Sequence, residues 1–203
     1  MTQVFFLPGA GGSPEFWQPV ADRLPAAWTK RRFGWPGLGT QAHDPSIRSL
    51  GDLVALVKAE MTAPVDLVAQ SMGGWIAARL AIEYPALVRR LVLTVTSAGV
   101  DMGKLGATDW RETYRRNFPN AAPWITDLRA SVNLPVDRIA APTLLLWGDA
   151  DPISPVAVGR HLAQRIAGSR LEIIAGGDHD LARLRADEVA PLIAKHLGTG
   201  RAA

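Results

Sequence analysis

Short apolar runs alternate along this chain with amphipathic stretches. Val4-Phe5-Phe6-Leu7 is apolar throughout and stops at Pro8-Gly9, which predicts a buried strand ending in a loop. Ser13-Pro14-Glu15 then offers a helix start: a capping hydroxyl, a proline at the first position and an acid in the first turn. Phe16, Val20 and Leu24 follow on one helical face. Ala27 to Phe33 predicts a second, less apolar strand, and Gly34-Trp35-Pro36-Gly37-Leu38-Gly39 a turn-rich loop. Ile47, Leu50, Leu53, Val54 and Val57 have helical spacing, predicting a helix from Ser49 to Met61 that Pro64 breaks. A strand over Val65 to Ala69, a helix over Met72 to Tyr84 and a strand over Leu91 to Val95 come next. After an interruption, Pro142 to Trp147 predicts a strand, Val156 to Ala167 a helix, Leu171 to Ala175 a strand and Arg185 to Leu197 a closing helix. Gly198 to Ala203 predicts a loose tail.

The interruption runs from Gly99 to about Asp137. Trp110, Tyr114, Phe118 and Trp124 alternate there with Arg111, Arg115, Arg116 and Asp127, and Pro119 and Pro123 break the pattern. It predicts a small helical excursion without strands. Outside it, regular alternation implies an α/β fold: a parallel sheet covered by helices on both faces, with any site at the carboxyl ends of the strands.

Composition narrows the function classes. A chain of 203 residues predicts one domain with a sizeable core. Its 48% hydrophobic and 20% charged residues suit a soluble globular protein. The formal charge is +3, yet the arginines are scattered, so no nucleic-acid surface is expected. The absence of Cys excludes disulfides, thiolate catalysis and Cys-ligated metals. Neither a signal-peptide pattern nor an apolar run of ~20 residues is visible, which predicts a cytoplasmic protein with no membrane partner.

The chemistry-bearing stretch is Ala69-Gln70-Ser71-Met72-Gly73, between a strand and a helix. A Ser on such a sharp turn has its hydroxyl lifted clear of the sheet, and the residues two before and two after must be small because strand and helix nearly touch. The alternative is a Ser that caps the helix. Three more features follow strands and so share its sheet edge: the Gly9-Ala10-Gly11-Gly12 loop, Gly148-Asp149-Ala150-Asp151-Pro152 and Gly176-Gly177-Asp178-His179-Asp180. The glycine loop lacks both G-x-G-x-x-G and a following Gly-Lys-Ser/Thr, which argues against nucleotide binding. The order Ser, acid, His suits an activated serine. A hydroxyl needs a base to become a nucleophile, His accepts and returns a proton near neutrality, and a carboxylate fixes its tautomer. The N–H groups of Met72 and Ala10 are the candidate oxyanion donors. His43, in a polar loop, and His161 and His196, within helices, follow no strand and are expected at the surface.

Together these pieces resemble the α/β-hydrolase fold serine hydrolases of the small esterase, thioesterase and C–C hydrolase kind. The resemblance runs from Val4 to about Leu197 and is carried by Leu7-Pro8-Gly9 with Ser13 and Trp17, Pro36-Gly37-Leu38-Gly39, Gln70-Ser71-Met72-Gly73-Gly74, Pro142 to Asp151, and Gly177-Asp178-His179. The family's Gly-x-x-Asp pattern picks Asp151 over Asp149 as the acid. Three departures stand out: Pro8 where the family usually has His, Ala69 where it usually has Gly, and a start at the strand the family counts third. About six strands are therefore expected instead of eight.

The resemblance implies a Ser71-Asp151-His179 triad and an oxyanion hole of Ala10 and Met72. It implies hydrolysis of an ester or thioester of a small to medium substrate through an acyl-enzyme, with no cofactor and no metal. A C–C bond hydrolase or lyase on the same triad, or a low-turnover ligand-binding homologue, is the alternative. Residues 99–137 would be a short lid, with Trp110, Tyr114 and Phe118 either shaping the acyl pocket or packing the lid onto the body. Trp35 is expected to border the pocket. Trp17 and Trp75 are expected to be packing residues.

Overall fold

A computed structural model of the chain describes residues 2–127 and 133–199. Six strands form one sheet: β1 (Gln3–Leu7), β2 (Thr29–Arg32), β3 (Val65–Gln70), β4 (Val88–Thr94), β5 (Thr143–Gly148) and β6 (Arg170–Ile174). Their order is β2-β1-β3-β4-β5-β6 and every pairing is parallel. The helices are α1 (Gln18–Arg23), α2 (Leu50–Glu60), α3 (Met72–Glu83), α4 (Arg111–Asn117), α5 (Trp124–Asp127), α6 (Val156–Arg165), α7 (Leu181–Leu184) and α8 (Ala186–Gly198). α1 packs on α8, and α2 on α3. The β1-to-β2 connection, which holds α1, and the β2-to-β3 connection, which holds α2, cross the sheet in opposite directions, so right-handed connections put these two pairs on opposite faces.

The sheet is six-stranded, as the alternation predicts. β3 and β5 are buried along their whole length, as strands of a parallel sheet covered on both faces are. The outermost strand β2 carries Thr29, Lys30, Arg31 and Arg32, charges that suit an edge. The chain reverses direction across the sheet between β1 and β3, so the loops after these two strands flank the switch point where α/β sheets bind ligands.

Element ends differ from the expectation in two informative places. The first helix divides into a 3-10 turn, Pro14–Trp17, and α1, because Pro19 has no N–H for a continuous α-helical ladder. β4 begins at Val88, before the apolar run. Its Arg89 reaches the fully buried Asp66 of β3 through two hydrogen bonds, of 3.0 and 2.6 Å. Arg89→Leu would leave that carboxylate buried without a countercharge and is expected to lower unfolding free energy by about 3 kcal/mol in urea titrations. The double variant Asp66→Val with Arg89→Leu should recover part of the loss.

Residues 99–127 hold a 3-10 turn at Gly103–Leu105 and the short helices α4 and α5, and no strand occurs there among the described residues. Part of the expected 99–137 excursion, and Gly200 to Ala203 of the expected tail, lie outside the described residues. No helix among the described residues is long and apolar enough to cross a membrane.

Candidate active site

Ser71 occupies the tip of the turn from β3 to α3. Its backbone is held at φ 51°, ψ −120°, a conformation that costs a residue with a side chain on the order of 1–3 kcal/mol. Neighbouring groups hold it there. The Ser71 N–H donates to Thr94 O at 3.0 Å, and its carbonyl accepts from Gly74 N–H at 2.9 Å and from Thr96 Oγ1 at 2.5 Å. Gly73 is needed because a Cβ there would collide with the carbonyls of Leu7 and Pro8. The Ser71 hydroxyl makes no cap bond to α3. It lies 2.9 Å from His179 Nε2 instead.

His179 sits in the loop after β6 and Asp151 in the loop after β5. Asp151 Oδ2 lies 2.7 Å from His179 Nδ1. The other oxygen, Oδ1, accepts from Ile153 N–H at 2.8 Å and Ser154 N–H at 3.1 Å. The Asp151 side chain is fully buried while that of His179 keeps 21% exposure, so the carboxylate is shielded and the imidazole reaches the surface. Asp149 points elsewhere: its Oδ1 accepts from Gly176 N–H at 2.6 Å, tying the two loops together. Gly148 and Gly177 lie back to back, leaving no room for a Cβ on Gly148. Asp178 caps the Asp180 N–H at 2.9 Å and Asp180 pairs with Arg183 at 2.7 Å, so neither is drawn to the imidazole ring.

Gln70 was not singled out by the sequence pattern. Its buried side chain donates from Nε2 to the His179 carbonyl at 3.1 Å, linking the strand before Ser71 to the histidine loop. No signal apart from its place in the pentapeptide marked it.

The glycine loop after β1 brings Ala10 to the same edge. Its carbonyls are held one after another. Trp17 Nε1 donates to Leu7 O at 3.1 Å, Trp35 Nε1 to Pro8 O at 2.8 Å, and Gly12 N–H to Gly9 O at 3.1 Å. The Tyr114 hydroxyl donates to Ala10 O at 2.9 Å, and Trp35 N–H to Gly12 O at 2.9 Å. The N–H groups of Ala10 and Met72 have no acceptor among the described residues. Unpaired N–H groups of this kind are common at turns and at the first turn of a helix.

The expected substrate contacts need revision. Trp35 has no exposed surface; its ring stacks on Phe33 at 6.1 Å and its indole is spent on Pro8. It therefore does not border a pocket; it anchors the glycine loop. Tyr114 is also buried, between Trp110 and Phe118, with ring centroids at 5.5 and 4.9 Å. Burial pushes the Tyr114 phenol above its ordinary pKa, against the opposing pull of the Gly39 N–H that donates to it. Trp110 and Phe118 remain partly exposed. Two clefts of about 250 and 310 Å³ lie at the insertion, both lined by Phe118; neither is lined by Ser71 or His179.

His43 is exposed and His161 half-buried. His196 is half-buried and meets Pro142 O at 3.2 Å; burial pushes its imidazole pKa down. No group of three or more ligating side chains placed to hold a metal occurs among the described residues.

Comparison with known proteins agrees with this architecture. The model of the alpha/beta hydrolase family matches residues 4–135. The chain belongs to that family. The model of a TAP-like protein, an alpha/beta hydrolase type, matches residues 109–203. A pimeloyl-[acyl-carrier protein] methyl ester esterase of Neisseria meningitidis is 27% identical, over 87% of this chain and 70% of that protein. A poly(3-hydroxyalkanoate) depolymerase of Ectopseudomonas oleovorans is 27% identical, over 97% of this chain and 84% of that one. Among solved structures, a putative non-heme bromoperoxidase, BpoC, of Mycobacterium tuberculosis superposes with a TM-score of 0.78 at 22% identity, covering 100% of this chain and 94% of the other. That likeness establishes the fold.

Proposed function

We propose that this alpha/beta hydrolase is a cytoplasmic serine hydrolase that cleaves a carboxylic ester or thioester of a small to medium substrate through an acyl-enzyme. The observation that carries the proposal is the hydrogen-bonded chain Asp151–His179–Ser71, with links of 2.7 and 2.9 Å. Preference for an ester draws support from the relatives, one named a methyl ester esterase and another a depolymerase of a polyester.

In this mechanism Ser71 Oγ attacks the substrate carbonyl as its proton passes to His179 Nε2. Asp151 holds the proton on Nδ1 and stabilises the imidazolium. The negative oxygen of the tetrahedral intermediate takes hydrogen bonds from Ala10 and Met72 N–H. The intermediate collapses, the C–O or C–S bond breaks, and His179 protonates the departing alcohol or thiol. A water molecule gives its proton to His179 and attacks the acyl-Ser71 ester; the C–Oγ bond breaks, His179 returns the proton to Ser71 Oγ and the acid is released. Trp110 and Phe118, partly exposed, wall the acyl side.

The test is fluorophosphonate labelling followed by peptide mass spectrometry. The expected result is a single adduct on Ser71 that is missing from Ser71→Ala. A folded protein that stays unlabelled at Ser71 would sink the acyl-enzyme mechanism and favour a ligand-binding role.

A further inference from the structure

We infer that Tyr114, which belongs to the insertion and not to the sheet edge, is a positioning residue of the oxyanion hole: its hydroxyl bridges Ala10 O and Gly39 N–H and so fixes where the Ala10 N–H points. The inference rests on the hydrolase reading above.

The residues of the loop do little to fix its conformation by themselves. Gly9, Gly11 and Gly12 surround Ala10, and glycine restricts φ and ψ less than any other residue. An oxyanion donor must lie within a few tenths of an ångström of its place to be effective, so the orientation has to be imposed from outside. Two peptide planes meet at the Ala10 Cα. The plane that bears the Ala10 N–H is held through its carbonyl, Gly9 O, by Gly12 N–H at 3.1 Å. The following plane is held through Ala10 O by Tyr114 Oη at 2.9 Å. With both planes held, the backbone angles of Ala10 are fixed. Other contacts of the loop act one or more residues away from Ala10.

The bridge has a defined polarity. Gly39 N–H donates to Tyr114 Oη at 2.9 Å, which directs the phenol proton towards Ala10. The phenol ring cannot swing away. Trp110 meets it edge-on at 90°, Phe118 closes its other side, and only 7% of the residue is exposed. Trp110 and Phe118 stand four residues on either side of Tyr114, so helix α4 and its flanks present all three rings together. Neither of the other two rings contacts the loop through a polar atom. The insertion thereby becomes part of the catalytic framework instead of a cover that swings freely over Ser71.

The decisive comparison is Tyr114→Phe, which keeps the ring and deletes the bridge. With a short activated ester as substrate, kcat is expected to fall about tenfold while KM stays within about twofold. The affinity for a trifluoromethyl ketone, which forms a tetrahedral adduct with Ser71, should fall by a similar factor. A folded Y114F protein with unchanged kcat and unchanged ketone affinity overturns the inference, even if its Tm drops. The labelling of wild-type Ser71 separates the two readings. A labelled wild type with an unimpaired variant defeats the Tyr114 role alone, whereas an unlabelled, inactive wild type defeats the hydrolase reading and this inference with it. Should Y114F not fold, amide exchange on the wild type decides. The ketone adduct is expected to slow exchange at Gly39 together with Ala10 and Met72; slowing at Ala10 and Met72 with none at Gly39 overturns the inference.

Discussion

His179→Ala is expected to lower the hydrolysis of an activated ester by between about 10,000-fold and a millionfold and to abolish fluorophosphonate labelling of Ser71. The reason is the proton on the serine hydroxyl. An alcohol attacks a carbonyl slowly at neutral pH unless a base removes that proton during attack, and His179 Nε2 is the group within reach, at 2.9 Å. Losing the imidazole also deprives the leaving group of its acid, so acylation and deacylation are both impaired. The fold should survive. The hydrogen bond from Gln70 goes to the His179 backbone carbonyl, which alanine retains, and the imidazole is partly exposed. Initial rates and intact-mass labelling are the measurements, with an unfolding curve as control. A His179→Ala protein labelled as fast as wild type would remove His179 from the mechanism.

The second large effect separates two aspartates that lie two positions apart. Asp151→Asn is expected to reduce kcat about 10,000-fold, and Asp149→Asn by no more than a few-fold. In the wild type, Asp151 Oδ1 accepts from Ile153 and Ser154 N–H, while Oδ2 faces His179 Nδ1. An asparagine would turn its carbonyl oxygen to the two backbone donors, since its NH₂ group cannot accept them. Its NH₂ would then face Nδ1 and force that nitrogen to be an acceptor. The ring proton would move to Nε2, the nitrogen that must be free to take the proton from Ser71. The imidazole would keep its place in the wrong tautomer. Asn at position 149 can still accept the Gly176 N–H through its own carbonyl. Equal losses in the two variants would contradict this division of roles.

Much of this arrangement was legible in the sequence because it depends on short-range pattern. Four apolar residues before Pro8-Gly9 and the fully apolar run before Gly148 each become a strand, and the regular alternation with helices leads to a parallel sheet. The Ser71 turn is similarly local: a small residue on either side lets strand and helix approach, and the positive φ of Ser71 follows from that sharp reversal. Strand ends and loop lengths then carry the stretch after β5 and the stretch after β6 to the same edge, so the two loops holding Asp151 and His179 could be named in advance.

Tertiary structure decided which atoms in those loops meet. Asp149 and Asp151 have the same chemistry and almost the same place in the chain; the residue pattern alone leaves both open, and a family resemblance is needed to prefer one. They part because Ile153 and Ser154 N–H turn one carboxylate inward while Gly176 N–H takes the other. Arg89 extends β4 beyond its apolar run because of Asp66, 23 residues earlier. Trp35 reads as a loop aromatic free to meet a ligand, yet its indole donates to a carbonyl 27 residues away and the ring is sealed in the core. The spacing of Trp110, Tyr114 and Phe118 puts them on one helical face from sequence alone. The partners of the Tyr114 hydroxyl, 75 and 104 residues distant, do not follow from any local pattern. Backbone conformation is set by sterics and periodicity over a few residues, and composition reports it. The direction of a side-chain dipole in a loop depends on donors and acceptors brought there from elsewhere, and only the packed chain assembles them.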